Sequence, residues 1–151
     1  MSLNAQNELV GSVRLINTAM PNMLGGPFKS MFPEDNFTSP LIWEASRFAV
    51  VGERCVQPNQ ISTAACELVL GTIQFGLSNG ARHIAGVYET GMSRVYRRCG
   101  LAIFELGRHT SRAHGTVFLG LCEVSKSHEA SILAATGLAN NPAPFAGSLA
   151  A

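Results

Sequence analysis

A glutamate, a serine and an arginine interrupt the run Leu41-Ile42-Trp43-Glu44-Ala45-Ser46-Arg47-Phe48-Ala49-Val50, which is otherwise apolar and suited to a strand. Charged side chains are seldom buried without partners, so the Glu44 carboxylate and the Arg47 guanidinium need each other or a ligand. Two readings stay open: a structural Glu–Arg pair at a strand end, or a carboxylate base at the mouth of a sheet. On a regular pleat Glu44, Ser46 and Phe48 share one face, while Trp43, Ala45 and Arg47 share the other. Glu44 and Arg47 meet on one side only if the strand carries a bulge, a feature that recurs beside active sites.

A second grouping is basic. From Arg82 to Arg112 there are six arginines (Arg82, Arg94, Arg97, Arg98, Arg108, Arg112) against two acids, Glu89 and Glu105, on a chain of net charge +1. Such a surplus fits either an anionic partner or a solvated basic face. Other chemistries find less support. His83, His109, His114 and His128 stand without a nucleophile or metal-ligand spacing beside them, so no metal is expected. Cys55, Cys66, Cys99 and Cys122 form no CxxC pair and read as reduced thiols of a cytoplasmic protein. Ser46 lacks the G-x-S-x-G elbow of a hydrolase nucleophile, and Gly25-Gly26 has neither a GxGxxG context nor a Walker lysine.

The elements that must hold these residues follow from periodicity and punctuation. Glu8–Ile16 reads as a strand, preceded by the turn-like Asn4–Asn7. That turn suits the middle of a hairpin whose first strand is lost or reduced to Ser2-Leu3. Asn17–Pro40 is a long connection with one helical turn around Phe28–Phe32, and connections of this length are uncommon unless functional. After the Leu41–Val50 strand and a Gly52–Gln57 loop, a helix is expected from Gln60 to Ser78, with Asn59 as N-cap and Gly80 as stop. Its apolar stripe includes Ile61, Ala65, Leu68, Val69 and Ile73. Then come a strand over His83–Tyr88 and a helix over Met92–Cys99 ended by Gly100, with Arg94, Arg97 and Arg98 at i, i+3, i+4. Two strands, Leu101–Leu106 and Thr116–Val124, flank a polar, basic connection at Gly107–Gly115, and a helix starting at Ser127 or Lys126 runs to Thr136.

This is an α/β order with helices on one mixed sheet. The 151 residues suit one domain over 1–138 with a flexible tail over 139–151, and 46% hydrophobic against 14% charged residues excludes disorder over most of the chain. Neither a signal peptide nor a bilayer-spanning stretch is visible, so a soluble protein is expected, with no nucleic-acid or membrane partner.

Val10-Gly11-Ser12-Val13-Arg14-Leu15, Pro21-Asn22-Met23-Leu24, Phe32-Pro33, Ser39-Pro40-Leu41-Ile42-Trp43-Glu44-Ala45-Ser46-Arg47-Phe48 and the later Arg98-Cys99-Gly100-Leu101 resemble the acyl-homoserine lactone synthase (autoinducer synthase) family. The W-E-x-S-R-F block at its distance from G-S-V-R-L is the specific part, and the likeness runs to about Leu121. It implies a GNAT-like acyltransferase fold. It also implies transfer of an acyl chain from acyl carrier protein to S-adenosylmethionine, lactone closure and release of methylthioadenosine for quorum sensing. S-adenosylmethionine is a substrate, and no cofactor is implied. By the resemblance Glu44 is the base, Arg47 and Ser46 its site neighbours, and Arg14, Phe32 and Arg47 contact S-adenosylmethionine. Trp43, Phe48, Val87, Tyr88 and Phe104 are candidates for an acyl pocket, with Phe118 beside them; the alternative is ordinary core packing. Arg94, Arg97, Arg98 and Arg112 are candidates for docking the acidic carrier protein.

The residue types suit that chemistry. A protonated α-amine must lose a proton before it attacks a thioester, and a carboxylate within hydrogen-bond reach can take it. An arginine fork can hold the substrate carboxylate that later closes the lactone. Family members carry about sixty further residues upstream that this chain does not match, and Gly25–Met31 looks lengthened. The sequence therefore leads us to expect a fold with its N-terminal part missing, a catalytically silent chain with weak or undetectable S-adenosylmethionine binding, and self-association through an exposed edge strand. Two alternatives remain at this stage: a general acyl-coenzyme A N-acyltransferase of GNAT type, and a non-catalytic truncated copy. Against the first, the loop before the 60–78 helix lacks the glycine pattern that cradles pyrophosphate.

Overall fold

The computed structural model describes residues 1–33, 36–51, 61–113 and 115–138. The strand around Glu44 is central, as its apolar composition demands. In chain order the elements are β1 (Ser2–Leu3), β2 (Leu9–Asn17), β3 (Ile42–Val50), α1 (Thr63–Ser78), β4 (His83–Glu89), α2 (Thr90–Arg98), β5 (Phe104–Ser111), β6 (Gly115–Glu123) and α3 (Lys126–Thr136). They build one six-stranded sheet in the order β1-β2-β3-β4-β6-β5. Neighbours are antiparallel except β3 and β4, which run parallel. The mixed, GNAT-like α/β architecture implied by the resemblance is the one observed.

The two faces of the sheet are covered by different material. On one, Cys66, Val69, Leu70 and Ile73 of α1 pack with Cys99, Cys122 and Ile132, and with Phe48 from β3. On the other, Leu24 and Phe32 from the long β2–β3 connection pack with Ala85 and Leu119, helped by Phe28, Met31 and Phe37. The connection is therefore a folded layer of the protein. Its helical turn forms where expected, with the Phe32 N–H donating to the Phe28 carbonyl at 3.2 Å. The short first strand also forms: Ser2 pairs with Gly11 and Leu3 with Leu9, and the Ser2 hydroxyl donates to Glu67 on α1.

β3 departs from regularity at one point. Ser12 lies opposite Ala49 and Arg14 opposite Ser46. Val13 thus faces two residues, Arg47 and Phe48, and Arg47 takes φ +55°. This is the β-bulge on which the sequence made the Glu44–Arg47 geometry depend. A bulge bends and twists its strand. Pairing of β3 with β4 stops after Glu44↔Ala85, while β4 stays paired with β6 through Glu89. Beyond Ala85 the two parallel strands splay. Gly86 sits at the fork, where an added Cβ would lie 2.9 Å from the Ala45 carbonyl oxygen.

Several boundaries shift from the sequence expectation. Asn59 and the Gly52–Gln57 loop lie outside the described residues; α1 is capped instead by Ser62, whose hydroxyl accepts from the Ala65 N–H at 3.3 Å. α3 starts at Lys126, as expected, and its cap is Ser125, whose hydroxyl accepts from the His128 N–H. The largest difference is β5, which occupies Phe104–Ser111 rather than 101–106. Its residues 107–111 are polar because β5 is an edge strand, so polarity there reports solvent and not a loop. The expected tail over 139–151 also lies outside the described residues.

Gly100 ends α2 in the left-handed conformation, φ +76°, with its Cα against the Ser131 carbonyl. A Cβ there would stand 2.7 Å from that oxygen. Gly100→Ala should therefore lower unfolding free energy by about 1–3 kcal/mol, from strain and overpacking together. The check is a urea titration with the midpoint compared at constant slope.

Candidate functional site

Glu44 is 1% exposed, a buried carboxylate on the face covered by the β2–β3 connection. An unpaired charge in that position would cost several kcal/mol, so its partners matter. Two are present. The Leu24 backbone N–H donates to Oε2 at 2.8 Å, and Arg14 on β2 brings Nη2 to 3.5 Å from Oε1. Arg14 also donates from Nε to the Ser46 hydroxyl at 3.1 Å. The cross-strand register brings this about, because Arg14 pairs with Ser46 and Ile16 with Glu44. The structural pair that the sequence left open is thus Glu44–Arg14. Arg47 makes no ion pair among the described residues; it is exposed, and beyond the bulge it borders the smaller cavity together with Glu44.

Two cavities meet at the splay. One, of about 180 Å3, lies on the connection side and is lined by Met23, Leu24, Phe28, Glu44, Ser46 and Arg47. The other, of about 410 Å3, lies between the sheet and helices α1 and α2, within the size range of small-molecule sites. Phe48, Val87, Tyr88, Met92, Tyr96 and Ile103 are among its walls. Ala45, Ser46, Arg47 and Val87 border both cavities. The fork between β3 and β4 therefore stands between a cavity holding a buried carboxylate on one face and a largely apolar chamber on the other, with the same four residues on the wall of each.

The candidate residues are distributed unevenly over this arrangement. Glu44, Ser46 and Arg14 come together, and Arg47 borders the same space. Phe48, Val87 and Tyr88 line the larger cavity. Trp43 does not: it lies edge-on to Phe75 of α1, ring centroids 5.2 Å apart, in a separate packing cluster with Ile84 and Val124. Phe104 does not either, being 70% exposed on the outer strand β5. Phe32 is core, lying under the connection against Gly107, and Phe28 is the aromatic that reaches the smaller cavity. Phe118 stacks on Tyr88 at 5.6 Å and carries Arg108 over its ring. Arg94, Arg97, Arg98 and Arg112 are all exposed, the first three on α2. Met92 and Tyr96 were not among the sequence candidates for the pocket, although both fall on the same short helix as the arginines, at i and i+4. The Leu24 N–H was also missed, since a backbone donor leaves no trace in residue type.

A family profile described as "Autoinducer synthase" matches residues 1–132. The chain belongs to the autoinducer synthase family. It is 33% identical over 123 residues to an acyl-homoserine-lactone synthase of Rhizobium etli, a match covering 78% of this chain and 55% of that protein. A second such synthase, of Aeromonas hydrophila, is 31% identical over 114 residues, covering 74% of this chain and 55% of its own length. The chain thus spans about half the length of the curated relatives it matches. Among solved structures, the CoA-dependent acyl-homoserine lactone synthase MesI superposes with TM-score 0.74 at 25% identity, covering 92% of this chain and 69% of that one. TofI, crystallised with an inhibitor and MTA, shares the fold at TM-score 0.71 and 24% identity, over 94% and 68% of the two chains.

Tyr96 and Cys122 on the walls of the large cavity, and Cys99 behind them, hold their protons tightly. Burial is the main cause raising the Tyr96 hydroxyl to about 12, with smaller contributions from Tyr88, Cys122 and Cys99. Burial, then the nearby Glu123 charge, raises the Cys122 thiol to about 12. Cys99 is pushed up first by its hydrogen bond with Cys66, Sγ to Sγ 3.6 Å, and then by burial. These groups keep protons in the folded state that an unfolded chain releases from its ordinary values of 9.0 for Cys and 10.0 for Tyr. Their contribution to stability is therefore complete below pH 9.0 and is lost as pH rises towards about 12. Denaturation midpoints measured across that interval should fall steadily, and Tyr96→Phe, which removes one titrating group at nearly constant volume, should make the fall shallower.

Proposed function

We propose that this chain carries the catalytic sheet of an acyl-homoserine lactone synthase, with S-adenosylmethionine as amine substrate and an acyl thioester as donor. The observation that carries the reading is the buried Glu44 at a fork joining two cavities. A two-substrate acyl transfer needs that arrangement: an amine brought to a base on one side, an acyl chain sheltered on the other. Glu44 takes a proton from the α-ammonium of S-adenosylmethionine, directly or through one water. The freed amine attacks the thioester carbonyl, the new C–N bond forms, and the C–S bond breaks as the thiol leaves. The substrate carboxylate then displaces methylthioadenosine from its own γ-carbon to close the lactone. Arg14 is held by Glu44 and Ser46. Arg47, which borders both cavities and has no ion-pair partner among the described residues, is the guanidinium we assign to that carboxylate.

For the donor we assign acyl carrier protein, an acidic partner, to the exposed arginine face of α2, with Arg94, Arg97 and Arg98 and with Arg112 from the β5–β6 turn. A second reading, coenzyme A thioester, is favoured by the likeness to MesI, named as a CoA-dependent synthase. The apolar walls of the large cavity, Phe48, Val87, Tyr88 and Met92, are assigned to the acyl chain in either case.

Two experiments test these assignments. Glu44→Gln should leave the fold intact and reduce turnover by about 10²–10⁴, as loss of a general base does; unaltered turnover near neutral pH would remove Glu44 from the mechanism. The double reversal Arg94→Glu/Arg98→Glu should impair use of acyl carrier protein thioesters much more than use of acyl-CoA. Salt should act in the same direction, because exposed charges are screened within about 8–10 Å. Equal losses with both donors would exclude the carrier-protein face.

A further inference from the structure

The short hydrogen bond on Glu44 comes from a backbone amide in the β2–β3 connection, and one side chain organises that amide. Asn22 donates from Nδ2 to the carbonyls of Thr18 at 3.0 Å and Met20 at 2.8 Å. Its Oδ1 accepts from the Gly25 N–H at 2.8 Å. One carboxamide therefore ties the chain on both sides of Leu24. The upstream side is itself anchored. Thr18 is 2% exposed, and its Oγ1 lies 2.9 Å from the carbonyls of both Ser39 and Ile42. On the downstream side the Met23 carbonyl, in the same peptide as the Leu24 N–H, accepts from the Phe28 N–H at 2.9 Å and the Gly26 N–H at 3.3 Å, so the Asn22 clamp and this turn together set the direction of the amide.

We infer that Asn22 is a positioning residue for the reaction, acting through the Leu24 N–H on the Glu44 carboxylate. The inference rests on the assignment of Glu44 as base. Oε2 is engaged at 2.8 Å by Leu24, whereas among the described residues Oε1 has only the 3.5 Å contact with Arg14. Holding Oε2 fixes the plane of the carboxylate and leaves Oε1 as the oxygen free to receive the proton. A hydrogen bond from an amide to an ionised acceptor is short and directional, which suits it to this task. Without Asn22 the turn over Met23–Phe28 loses its tie to Thr18 and Met20, the Leu24 amide shifts with it, and the base loses its orientation while the pocket that binds substrate persists.

The test is a double-mutant cycle on the full chain, read with S-adenosylmethionine and an acyl thioester, together with amide hydrogen exchange at Leu24. Asn22→Ala should lower kcat by about 10–100-fold with little change in KM for S-adenosylmethionine, the mark of a misplaced catalytic group. In the Glu44→Gln background the same substitution should change kcat by no more than about twofold, since the group it positions is gone. Asn22→Ala should also lower exchange protection of the Leu24 N–H, and Asn22→Asp, which keeps the acceptor for Gly25 but sets a carboxylate oxygen against the Thr18 and Met20 carbonyls, should not restore it. Equal losses of kcat in both backgrounds would overturn the inference, leaving Asn22 as general loop structure. So would an equally protected Leu24 amide in Asn22→Ala. If the chain forms no product with any thioester, the proposed activity fails, and the exchange measurement still decides whether Asn22 governs the Leu24–Glu44 bond.

Discussion

Burying the Glu44 carboxylate is the constraint from which much of this structure follows. Taking an ionised group out of water carries a penalty of several kcal/mol unless charge and hydrogen bonds replace the lost hydration. β3 cannot supply them itself, because its neighbouring backbone donors are committed to the sheet. One partner is Arg14, set opposite by the antiparallel register of β2 and β3. The other is the Leu24 N–H, which reaches Oε2 only if the β2–β3 connection folds back across the sheet. The length of that connection, its polar clamp at Asn22 and its anchor at Thr18 are all consequences of this need. Its apolar residues do the remaining work, since Leu24 and Phe32 bury themselves against Ala85 and Leu119 while the amide is held in place.

The second organising feature is the bulge at Arg47–Phe48. An extra residue in β3 keeps the strand registered with β2 at both ends but turns it away from β4 after Ala85. Parallel strands that part in this way leave backbone and side chains of both strands facing an open wedge. The wedge joins the connection side of the sheet to the helix side, and residues on the fork border both spaces. Gly86 shows how narrow the fork is at its origin, where only a hydrogen fits beside the Ala45 carbonyl. A carboxylate held by two partners thus lies on one side, and a chamber walled by Phe48, Val87, Tyr88, Met92 and Tyr96 on the other.

The helix side is built for rigidity. α1 is nearly surrounded by apolar contacts, with Leu68 and Ile73 each 1% exposed, and α3 locks onto it through Ile132 at 0%. α2 differs. It buries no residue completely, turns Met92 and Tyr96 toward the large cavity, and carries its arginines outward. Arg97 and Arg98 occupy its last turn, where the partial negative charge of the helix C-terminus favours them. A helix with one side on the chamber and the other offering positive charge can serve a substrate and a macromolecular donor at once.

Much of this was determined by the sequence alone. The carboxylate inside an apolar strand, the long α1 stripe, the Gly100 stop after a basic helix and the W-E-x-S-R-F block are local patterns, written in residues close together in the chain. They led directly to the site's central residue, the architecture and the family. What only the tertiary structure decided is which groups meet. Arg47 is three residues from Glu44 and borders the same cavity without pairing with it, whereas Arg14, thirty residues away, is brought into the ion pair by strand register. Trp43 and Phe104 resemble cavity residues by type, yet the parity of the pleat sends Trp43 to Phe75 and the edge position leaves Phe104 in solvent. β5 extends past its apolar start because polar residues suit an edge strand as well as they suit a turn. The Leu24 amide had no signature at all. Every residue but proline carries an N–H, and only the three-dimensional path of the chain determines which one reaches the buried carboxylate.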